Sequence, residues 1–422
     1  MEVKPGYKQT EVGVIPEEWV VSLLADVITS FQNGFAFASH GYVKSGIPIV
    51  TMAQIGLDGR FNFTSESVNY WPTEAASALR AFQLFRGDII IAMTDVTPQK
   101  NLIGRMAEVT EIGPLLLNQR VGLFRLDAKK IDPYFLRAMS NSSRWRGYAR
   151  AVASLGVQAN IGTNDIRAGK LPLPPLPEQR AIALALSDVD GLLGGLDRLI
   201  AKKRDLKQAA MQQLLTGQTR LPGWDGAWEE TTLGELATFL SGGTPSRSND
   251  DYWTGDIPWI SASSLRCFEI WRSDSNVTKE AVDAGSKMAP VGSSLLLVRG
   301  SALHNEILCG LVTKPVCFNQ DVKALVPRSQ VVPRFLTLFI RGTSEEFLKL
   351  VSSAGNTAGV LDTKLVKAFA INLPSLPEQT AIASVLTEMD GELAGLEQRR
   401  EKTRALKQAM MQELLTGRTR LL

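Results

Sequence analysis

The chain has 422 residues, of which 44% are hydrophobic and 21% charged, so it can form the cores of two or three ordinary domains. Its net charge of +3 is too small to identify a polyanionic partner, and its three cysteines and two histidines lack the spacing of a zinc site or a disulfide framework. No apolar run of about 18 residues occurs and the first residues lack the apolar core of a signal peptide, so we expect a cytoplasmic protein.

The N-terminal stretch is a polar leader, which we assign to a connector over residues 1–18, and it leads into an apolar segment at Trp19. A similar connector containing Pro222, Trp224 and Trp228 lies in the middle of the chain, whereas the sequence ends at Leu422 without one. The repeat is therefore predicted to be circular. The leader should occupy, in space, the place that the end of the chain leaves open.

Two segments of similar length, residues 19–170 and 222–370, are each predicted to form a globular α+β domain. Short runs rich in Ile and Val, separated by Gly, Asn, Asp and Ser, indicate strands joined by loops, and helices are predicted within 133–151 and 333–351. Landmarks fall in the same order in both: Asn118-Gln119 corresponds to Asn319-Gln320, for example. Since the same dipeptide recurs, these asparagines are predicted to brace a loop.

Each domain is followed by a closely similar helical region, residues 171–221 and 371–422. At an offset of 200 residues, 30 of the 49 positions from Leu173 to Leu221 are identical to their counterparts. Pro177 and Pro377 suit a first helical turn, and Gly217 and Gly417 suit a left-handed C-cap. Each region thus predicts one helix of about 60 Å at roughly 1.5 Å per residue.

Both helices carry an apolar stripe at spacings of four and three, which predicts that they pack against each other as an antiparallel coiled coil. The stripe is formed by Ile182, Leu186, Val189, Leu193, Leu196 and Ile200, and by Ile382, Leu386, Met389, Leu393 and Leu396. Arg400 interrupts it. Glycine pairs at 191/195 and 391/395 indicate either a close helix crossing or a kink, and the basic second halves indicate either a solvated face or phosphate contacts.

The sequence offers no catalytic constellation. Two equivalent domains with one chemistry should carry matching acids, bases or nucleophiles, yet Asp88 corresponds to Ser293 and His304 has no counterpart. Walker A, HExxH and glycine-rich cofactor motifs are missing from the sequence. We therefore expect no catalytic residues, no metal site and no cofactor bound by this chain.

The LPPLPEQ and LPSLPEQ openings, the KQAxMQxLLTG endings, the internal repeat and SGGTPS at Ser241–Ser246 together resemble the specificity subunits of type I restriction-modification systems. That resemblance implies that the helices are conserved regions and that the globular parts are two target recognition domains, each reading half of a bipartite DNA site. It also implies two modification subunits that methylate adenine with S-adenosylmethionine, and restriction subunits that use ATP and Mg²⁺. The glycines within the two long helices are a departure from the sequence of a typical member of this family.

Loops rich in side chains that pair with bases or phosphates are the candidate DNA contacts. In the first domain they are Thr94, Asp95, Thr97, Gln99, Lys100, Asn101, Arg105, Gln158 and Asn160. In the second they are Ser246, Arg247, Arg299, Ser301, His304, Asn305 and Asn356.

Two other hypotheses belong to different classes. A coiled-coil adaptor that bridges partners without reading DNA would share the helices, although an isoelectric point near 8.7 argues against a DNA mimic. An enzyme with two active sites would need the paired residues that the two domains lack.

Overall fold

The fold is described from a computed structural model, which describes residues 4–97, 99–154, 158–354 and 358–421. The chain divides into two compact units: unit 1 contains 1–197 and 399–422, and unit 2 contains 198–398. Each unit therefore combines one globular domain with the first half of one long helix and the second half of the other.

The first domain contains two four-stranded sheets beside short helices. Its strands are β1 (Tyr7–Thr10), β2 (Gly13–Pro16), β3 (Val20–Leu23), β4 (Ile28–Asn33), β5 (Ile47–Val50), β6 (Asn69–Trp71), β7 (Gln83–Leu84), β8 (Ile89–Ala92), β9 (Thr94–Asp95), β10 (Met106–Glu108), β11 (Leu115–Leu117), β12 (Val121–Leu126), β13 (Ala159–Asn160) and β14 (Lys170–Leu173). Its helices are α1 (Leu24–Val27), α2 (Pro133–Ser140), α3 (Ser143–Val152) and α4 (Thr163–Ala168).

Strand β8 explains how the layers of this domain are arranged. The antiparallel sheet has the order β10-β8-β12-β4, and the second sheet has the order β6-β5-β11-β7 with β5 parallel to β11. Ile89 and Ile91 pack into the core with α2 and α3, whereas Ile90 packs into a separate core with residues of β5 and β11. An uninterrupted isoleucine run suits such a strand because both of its faces are covered.

The second domain repeats this topology. Its strands are β15 (Glu229–Thr232), β16 (Ala237–Ser241), β17 (Ile257–Ile260), β18 (Glu269–Ile270), β19 (Asn276–Val277), β20 (Met288–Ala289), β21 (Ser294–Leu297), β22 (Arg299–Gly300), β23 (Cys309–Val312), β24 (Val316–Phe318), β25 (Val322–Pro327), β26 (Val351–Ala354), β27 (Ala358–Leu361) and β28 (Ala370–Leu373). The long helices are α5 (Leu176–Thr216) and α11 (Leu376–Leu414), and between them lie α6 (Leu233–Leu236), α7 (Lys279–Gly285), α8 (Pro333–Gly342), α9 (Ser344–Leu348) and α10 (Thr363–Lys367).

Sheet order establishes the internal repeat more firmly than the weak sequence similarity does. The order β18-β23-β21-β25-β16 reproduces the first antiparallel sheet with one added edge strand, and β19-β17-β24-β20 reproduces the second sheet, including its parallel pair. The predicted α+β class and two-fold internal repeat are confirmed. Short 3₁₀ segments complete the domains at Ser39–Gly41, Met52–Gln54, Thr73–Ala76, Arg80–Phe82, Asp250–Trp253, Ala262–Arg266 and Ser301–His304.

The long helices run antiparallel within each unit, as predicted. In unit 1 the Nζ of Lys407 lies 2.7 Å from a carboxylate oxygen of Asp190, and in unit 2 the Nζ of Lys203 lies 2.6 Å from Glu392. Gly217 and Gly417 adopt φ of +74° and +71° just after the helices, which confirms the left-handed caps. Arg400, which interrupts the apolar stripe, lies 3.7 Å from Asp197.

The glycine pairs do not mark a close crossing, so that interpretation is wrong. A Cβ built at Gly191, Gly195, Gly391 or Gly395 would meet no atom within 4 Å. Both helices continue through these positions. The helix backbone is therefore not approached closely here by any other part of the described chain.

The N-terminal leader packs where the circular repeat predicts. The Tyr7 hydroxyl donates to the carbonyl of Gly417 over 2.9 Å, and a Cβ on Gly417 would lie 2.5 Å from Cδ of Pro16. In unit 2 the corresponding Gly217 lies against the ring of Trp228. The domain boundaries assigned from the sequence stay predictions, and strands β14 and β28 span two of them.

A buried carboxylate joins each domain to the start of its long helix. Glu178 is fully buried and accepts from Nε1 of Trp19 over 2.9 Å and from Nη2 of Arg420 over 2.8 Å. Glu378 is 1% exposed and accepts from Nε1 of Trp228 over 3.2 Å and from Nε of Arg220 over 2.6 Å. The same junction is thus built twice, once in each unit.

The glutamine that follows completes the junction. Oε1 of Gln179 accepts from the backbone N–H of Asp132 over 2.9 Å, and its Nε2 donates to the carbonyls of Lys130 and Pro174. Gln379 makes the equivalent bonds to Val332, Gln330 and Pro374. The glutamine of the repeated Pro-Glu-Gln therefore joins two segments. In unit 1 it binds the loop before α2 to the residue after β14, and in unit 2 it binds the loop before α8 to the residue after β28.

Candidate nucleic-acid interface

The loop that follows β9 in the first domain is built around Asp95. Its carboxylate is 2% exposed and accepts from the backbone N–H groups of Thr97, Leu102 and Ile103 over 2.7, 2.5 and 3.2 Å. Burial alone would raise the pKa of Asp95, but these bonds outweigh it and lower the pKa below its ordinary value. Asp95 is therefore a charged brace for the loop.

Three arginines hold the same loop from the other side. Arg146, which is 5% exposed, donates through Nη2 to the carbonyls of Lys100 and Asn101 over 2.8 and 2.9 Å. Arg105 donates through Nε to the carbonyl of Asn101 over 2.6 Å, and Arg150 donates through Nη2 to Oδ1 of Asn101 over 3.1 Å. The carbonyl groups of the loop are thus bound from within the protein.

Lys100 is the point of backbone strain in this loop. It has a φ of +49°, in the left-handed region that costs a side-chain-bearing residue free energy. Its Nζ lies 3.4 Å from the carbonyl of Ala153, at the end of α3. With Lys100 turned toward α3, Val96, Thr97 and Gln99 remain exposed on the loop.

The two predicted segments of the first domain come together as a ribbon. β9 pairs with β13, so that Thr94 lies opposite Asn160 and Asp95 opposite Ala159. Asn160 is exposed and donates to the carbonyl of the half-buried Gln158 over 3.0 Å. Thr94 is only 7% exposed and Asp95 is bound by the loop, so these two side chains do not face outward as the sequence suggested. Pairing between β9 and β13, rather than solvent contact, determines their place.

The second domain places its candidates on an equivalent ribbon. β22 pairs with β27, which brings Arg299 opposite Val360. Arg299, Ser301, His304 and Asn305 are all exposed. The remaining candidate of this group, Asn356, lies outside the described residues.

Ser246 and Arg247 lie on another loop, between β16 and β17. The Arg247 guanidinium carbon lies 3.6 Å from the ring centroid of Trp253 and 5.0 Å from that of Trp259. Ser246 shares a 2.8 Å hydroxyl contact with Ser248. Arg247 is exposed, and its guanidinium lies within cation–π distance of both rings, which are nearly perpendicular to each other.

Asn118 and Asn319 brace equivalent loops. Oδ1 of Asn118 accepts from the backbone of Arg120 over 3.1 Å, and Oδ1 of Asn319 accepts from Asp321 over 3.2 Å. Their side chains are buried in both domains. These contacts agree with the structural function that the recurrence of the dipeptide in the sequence indicates.

Arg146 and Arg150 are the important residues that sequence reasoning missed. Both lie on α3, four residues apart, on the helix face that meets the loop. The signal was the repeated arginine in SRWRGYAR, which gives a helix cationic side chains on one side. Within the described residues no group of three metal-ligating side chains is brought together, and no helix is long and apolar enough to cross a membrane.

Two equivalent α+β domains, each joined by the same buried junction to a long helix, define a protein built from two copies of one recognition module. A family model described as the type I restriction modification DNA specificity domain matches residues 16–200 and again 226–404. The chain belongs to this family of type I specificity subunits, which confirms the resemblance seen in the sequence.

Individual relatives agree with that assignment. The putative type I restriction enzyme MjaX specificity subunit of Methanocaldococcus jannaschii is 24% identical over 98% of this chain and 96% of its own length. The EcoR124I/EcoR124II specificity subunit of Escherichia coli is 28% identical over 52% of this chain, which spans 55% of that subunit. The alignment with the Escherichia coli subunit therefore covers only about half of each protein.

Solved structures show the same fold. The S subunit of a type I restriction-modification system from M. genitalium aligns over 98% of both chains with a TM-score of 0.56 and 17% identity. A chain from a structure of a type I system described in terms of complex assembly and conformational transition aligns over 96% of this chain and 99% of its own, with a TM-score of 0.60 and 20% identity.

Proposed function

We propose that this chain is the DNA-reading subunit of a type I restriction-modification complex, in which each globular domain reads one half of a bipartite, asymmetric site. The observation that carries the proposal is the contrast within the repeat. Topology and helix junctions are the same in both domains, whereas the equivalent loops after β9 and β22 carry different side chains. Unequal readers on equivalent scaffolds suit an asymmetric DNA sequence.

The exposed side chains have the chemistry that base recognition needs. Gln99 and Asn160 in the first domain can pair with adenine, and Arg299 and Arg247 in the second can pair with guanine or bind phosphate. A loop held by Asp95 and three arginines loses little conformational entropy on binding, which favours specificity. Thr97, Ser301, His304 and Asn305 supply further polar contacts.

In this proposal the chain contributes recognition and its partners contribute the chemistry. Two modification subunits dock on the helices and methylate adenine with S-adenosylmethionine, and restriction subunits supply the reaction that uses ATP and Mg²⁺. No cofactor is assigned to this chain. Such a complex would act in the cytoplasm on double-stranded DNA.

The deciding experiment is to express this chain with its methyltransferase subunit and to map N6-methyladenine across the host genome by single-molecule sequencing. We expect one motif made of two specified blocks around an unspecified gap of constant length. Methylation without such a motif, or methylation by the partner alone, would favour the coiled-coil adaptor instead.

Single substitutions can assign each block to its domain. Gln99→Ala is expected to relax the specified bases of one block only, and Arg299→Ala those of the other, because the two loops belong to different domains. Each variant serves as the control for the other. If both variants changed the same block, the assignment of one domain to one half-site would be wrong.

The helices are proposed to set the gap. Seven residues inserted after Asp197 in α5, together with seven after Gln398 in α11, keep the antiparallel pairing while adding about 10 Å. The gap should lengthen by about three base pairs, since DNA rises roughly 3.4 Å per base pair. The same insertion after the exposed Gly223 should leave the gap unchanged. An unchanged gap in the helix variant would overturn this part of the proposal.

A further inference from the structure

Each unit contains a cleft between its globular domain and the second half of a long helix. The cleft of unit 1 has a volume of about 920 Å³ and lies between α3 and the end of α11. The cleft of unit 2 has a volume of about 780 Å³ and lies between α8, α9 and the end of α5. The helix walls are nearly the same, since Arg404, Gln408 and Met411 in one correspond to Arg204, Gln208 and Met211 in the other.

The two clefts differ strongly in charge because the walls that face the shared helix wall differ. The domain wall of unit 1 supplies Arg105, Arg144, Arg146 and Arg150, and Asp58 is the one carboxylate among the described residues that line this cleft. In unit 2 the lining contains four carboxylates, Glu345 and Glu346 from the domain and Asp390 and Glu397 from α11. The cleft of unit 1 is therefore cationic, whereas that of unit 2 is close to neutral.

Two guanidinium groups at the cleft of unit 1 have buried nitrogen atoms without a hydrogen-bond acceptor among the described residues. They are Nη1 of Arg144 and Nε of Arg146. An N–H group that is removed from water and left unpaired costs free energy, so native proteins rarely retain one without a bound water, ion or ligand. Both residues line the same cleft.

The charges of these arginines are also poorly compensated. Burial lowers the pKa of Arg144, and no neighbouring carboxylate opposes that effect. Burial, with the nearby cations of Arg105 and Arg150, lowers the pKa of Arg146 to about 9. These guanidinium groups remain protonated at neutral pH, and those of Arg105, Arg146 and Arg150 repel one another. An anion bound in the cleft would compensate this cationic charge.

We propose that the cleft of unit 1 binds phosphate groups, with Arg144 as the central ligand. Arg144 lies in the first turn of α3, a ten-residue helix whose N-cap is Ser142, so backbone N–H groups and the helix dipole also favour an anion there. Planar guanidinium groups bind phosphate in bidentate geometry, and Arg150 and Arg418 line the same cleft. The phosphate comes either from a DNA backbone or from a free phosphorylated compound.

The test of phosphate binding uses the full chain and inorganic pyrophosphate. Pyrophosphate should raise the Tm of the wild-type chain above the effect of sodium chloride at the same ionic strength, because a ligand of the folded state stabilises it. Arg144→Gln should abolish that increase. The matched change in unit 2, Glu345→Gln, should retain it. Equal pyrophosphate shifts in the wild type and in Arg144→Gln would overturn the proposal.

Arg144→Gln is expected to fold, because the Arg144 side chain makes no hydrogen bond or ion pair with the described residues and its removal relieves the cost of burying a charge. If its Tm without anion were lowered, Arg418→Gln provides a second variant on the other wall of the cleft. Loss of the pyrophosphate shift in Arg418→Gln would support the site. A retained shift in both variants would contradict it.

A second experiment, with DNA, identifies the source of the phosphate. Only this experiment depends on the proposed function. For the assembled methyltransferase complex, Arg144→Gln should reduce the slope of log K against log salt by about 0.9 if one DNA phosphate occupies the cleft. An unchanged slope together with a lost pyrophosphate shift would assign the site to a free phosphorylated compound. Reduced assembly with the methyltransferase, with both anion effects intact, would overturn the proposal in favour of a protein contact.

Methylation mapping separates the two proposals. If the wild-type complex showed no bipartite motif, the proposed function would fail while the pyrophosphate result could still stand. Arg144→Gln should leave the motif unchanged, since a phosphate contact carries no base information.

Discussion

The helix junctions and the domain loops of the two units diverged to very different extents. Glu178 and Glu378 are buried against the same kinds of partner, a tryptophan and an arginine, and Gln179 and Gln379 bind equivalent backbone groups. The loop after β9 is held by Asp95 and three arginines, whereas its counterpart after β22 begins with Arg299 and turns into a 3₁₀ segment. Buried, paired groups are constrained by the fold, and exposed loops are free to change.

The strongest test of this comparison removes the arginine from each junction. Arg420→Ala leaves the fully buried Glu178 with only the indole of Trp19, and breaking a buried ion pair in this way costs about 3–5 kcal/mol. Arg220→Ala should cost unit 2 a similar amount. Urea unfolding, monitored by hydrogen exchange at the starts of α5 and α11, measures the loss of stability in each unit. A large loss in only one unit would show that the junctions are not equivalent.

Asp95→Asn should weaken the loop after β9, whose counterpart in unit 2 has Arg299 and a 3₁₀ segment instead. We expect a loss of about 1–3 kcal/mol at neutral pH, because an amide oxygen replaces a carboxylate bound by three N–H groups. The pKa of Asp95 is lowered in the folded state, so its contribution is present above the unfolded pKa of about 3.9 and is lost as pH falls through the folded pKa.

Urea unfolding of Asp95→Asn and wild type at several pH values checks this. The difference between the two proteins should shrink in acid. Asp225→Asn, at an exposed position in the connector, should show no such pH dependence. A difference that stayed constant in acid would mean that Asp95 does not act through its charge.

The two helix caps should respond unequally to alanine. Both glycines have positive φ, so either substitution costs about 1 kcal/mol. At Gly417 the new Cβ would also lie 2.5 Å from Pro16, whereas at Gly217 the nearest atom of Trp228 is 3.0 Å away. Gly417→Ala should therefore lower Tm more than Gly217→Ala. Equal effects would indicate that the leader moves aside easily.

Alanine at the helix glycines should produce the smallest effect, and one of opposite sign. Gly191→Ala and Gly195→Ala should each stabilise the chain by up to about 1 kcal/mol, since a Cβ there meets no atom within 4 Å and alanine favours a helix. Gly391→Ala and Gly395→Ala should do the same. Destabilisation, measured by thermal unfolding, would restore the close-crossing interpretation that the structure rejects.

Local patterns in the sequence were enough to predict the helices and their ends. Proline in the first turn, glycine at the cap and the apolar spacing are all properties of one continuous segment, and α5 and α11 begin and end where these signals lie. The topology of each domain was predicted only as a class. Its strands are short, and their order depends on pairings between distant residues.

The site was harder to predict because its geometry is non-local. Thr94 and Asp95 are polar residues in a loop-like stretch, yet pairing with Ala159 and Asn160 buries them. Glu178 has Arg420, 242 residues away, as its main partner. Composition and spacing do not reveal such pairings.

The division of the chain into units also affects the order of folding during synthesis. Unit 2 is one continuous stretch, residues 198–398, whereas unit 1 also requires residues 399–422. Domains fold as units while the chain emerges from the ribosome. Unit 2 can therefore complete its core first, although its domain is translated second, and the first half of α5 in unit 1 lacks its helix partner until residues 399–422 are made.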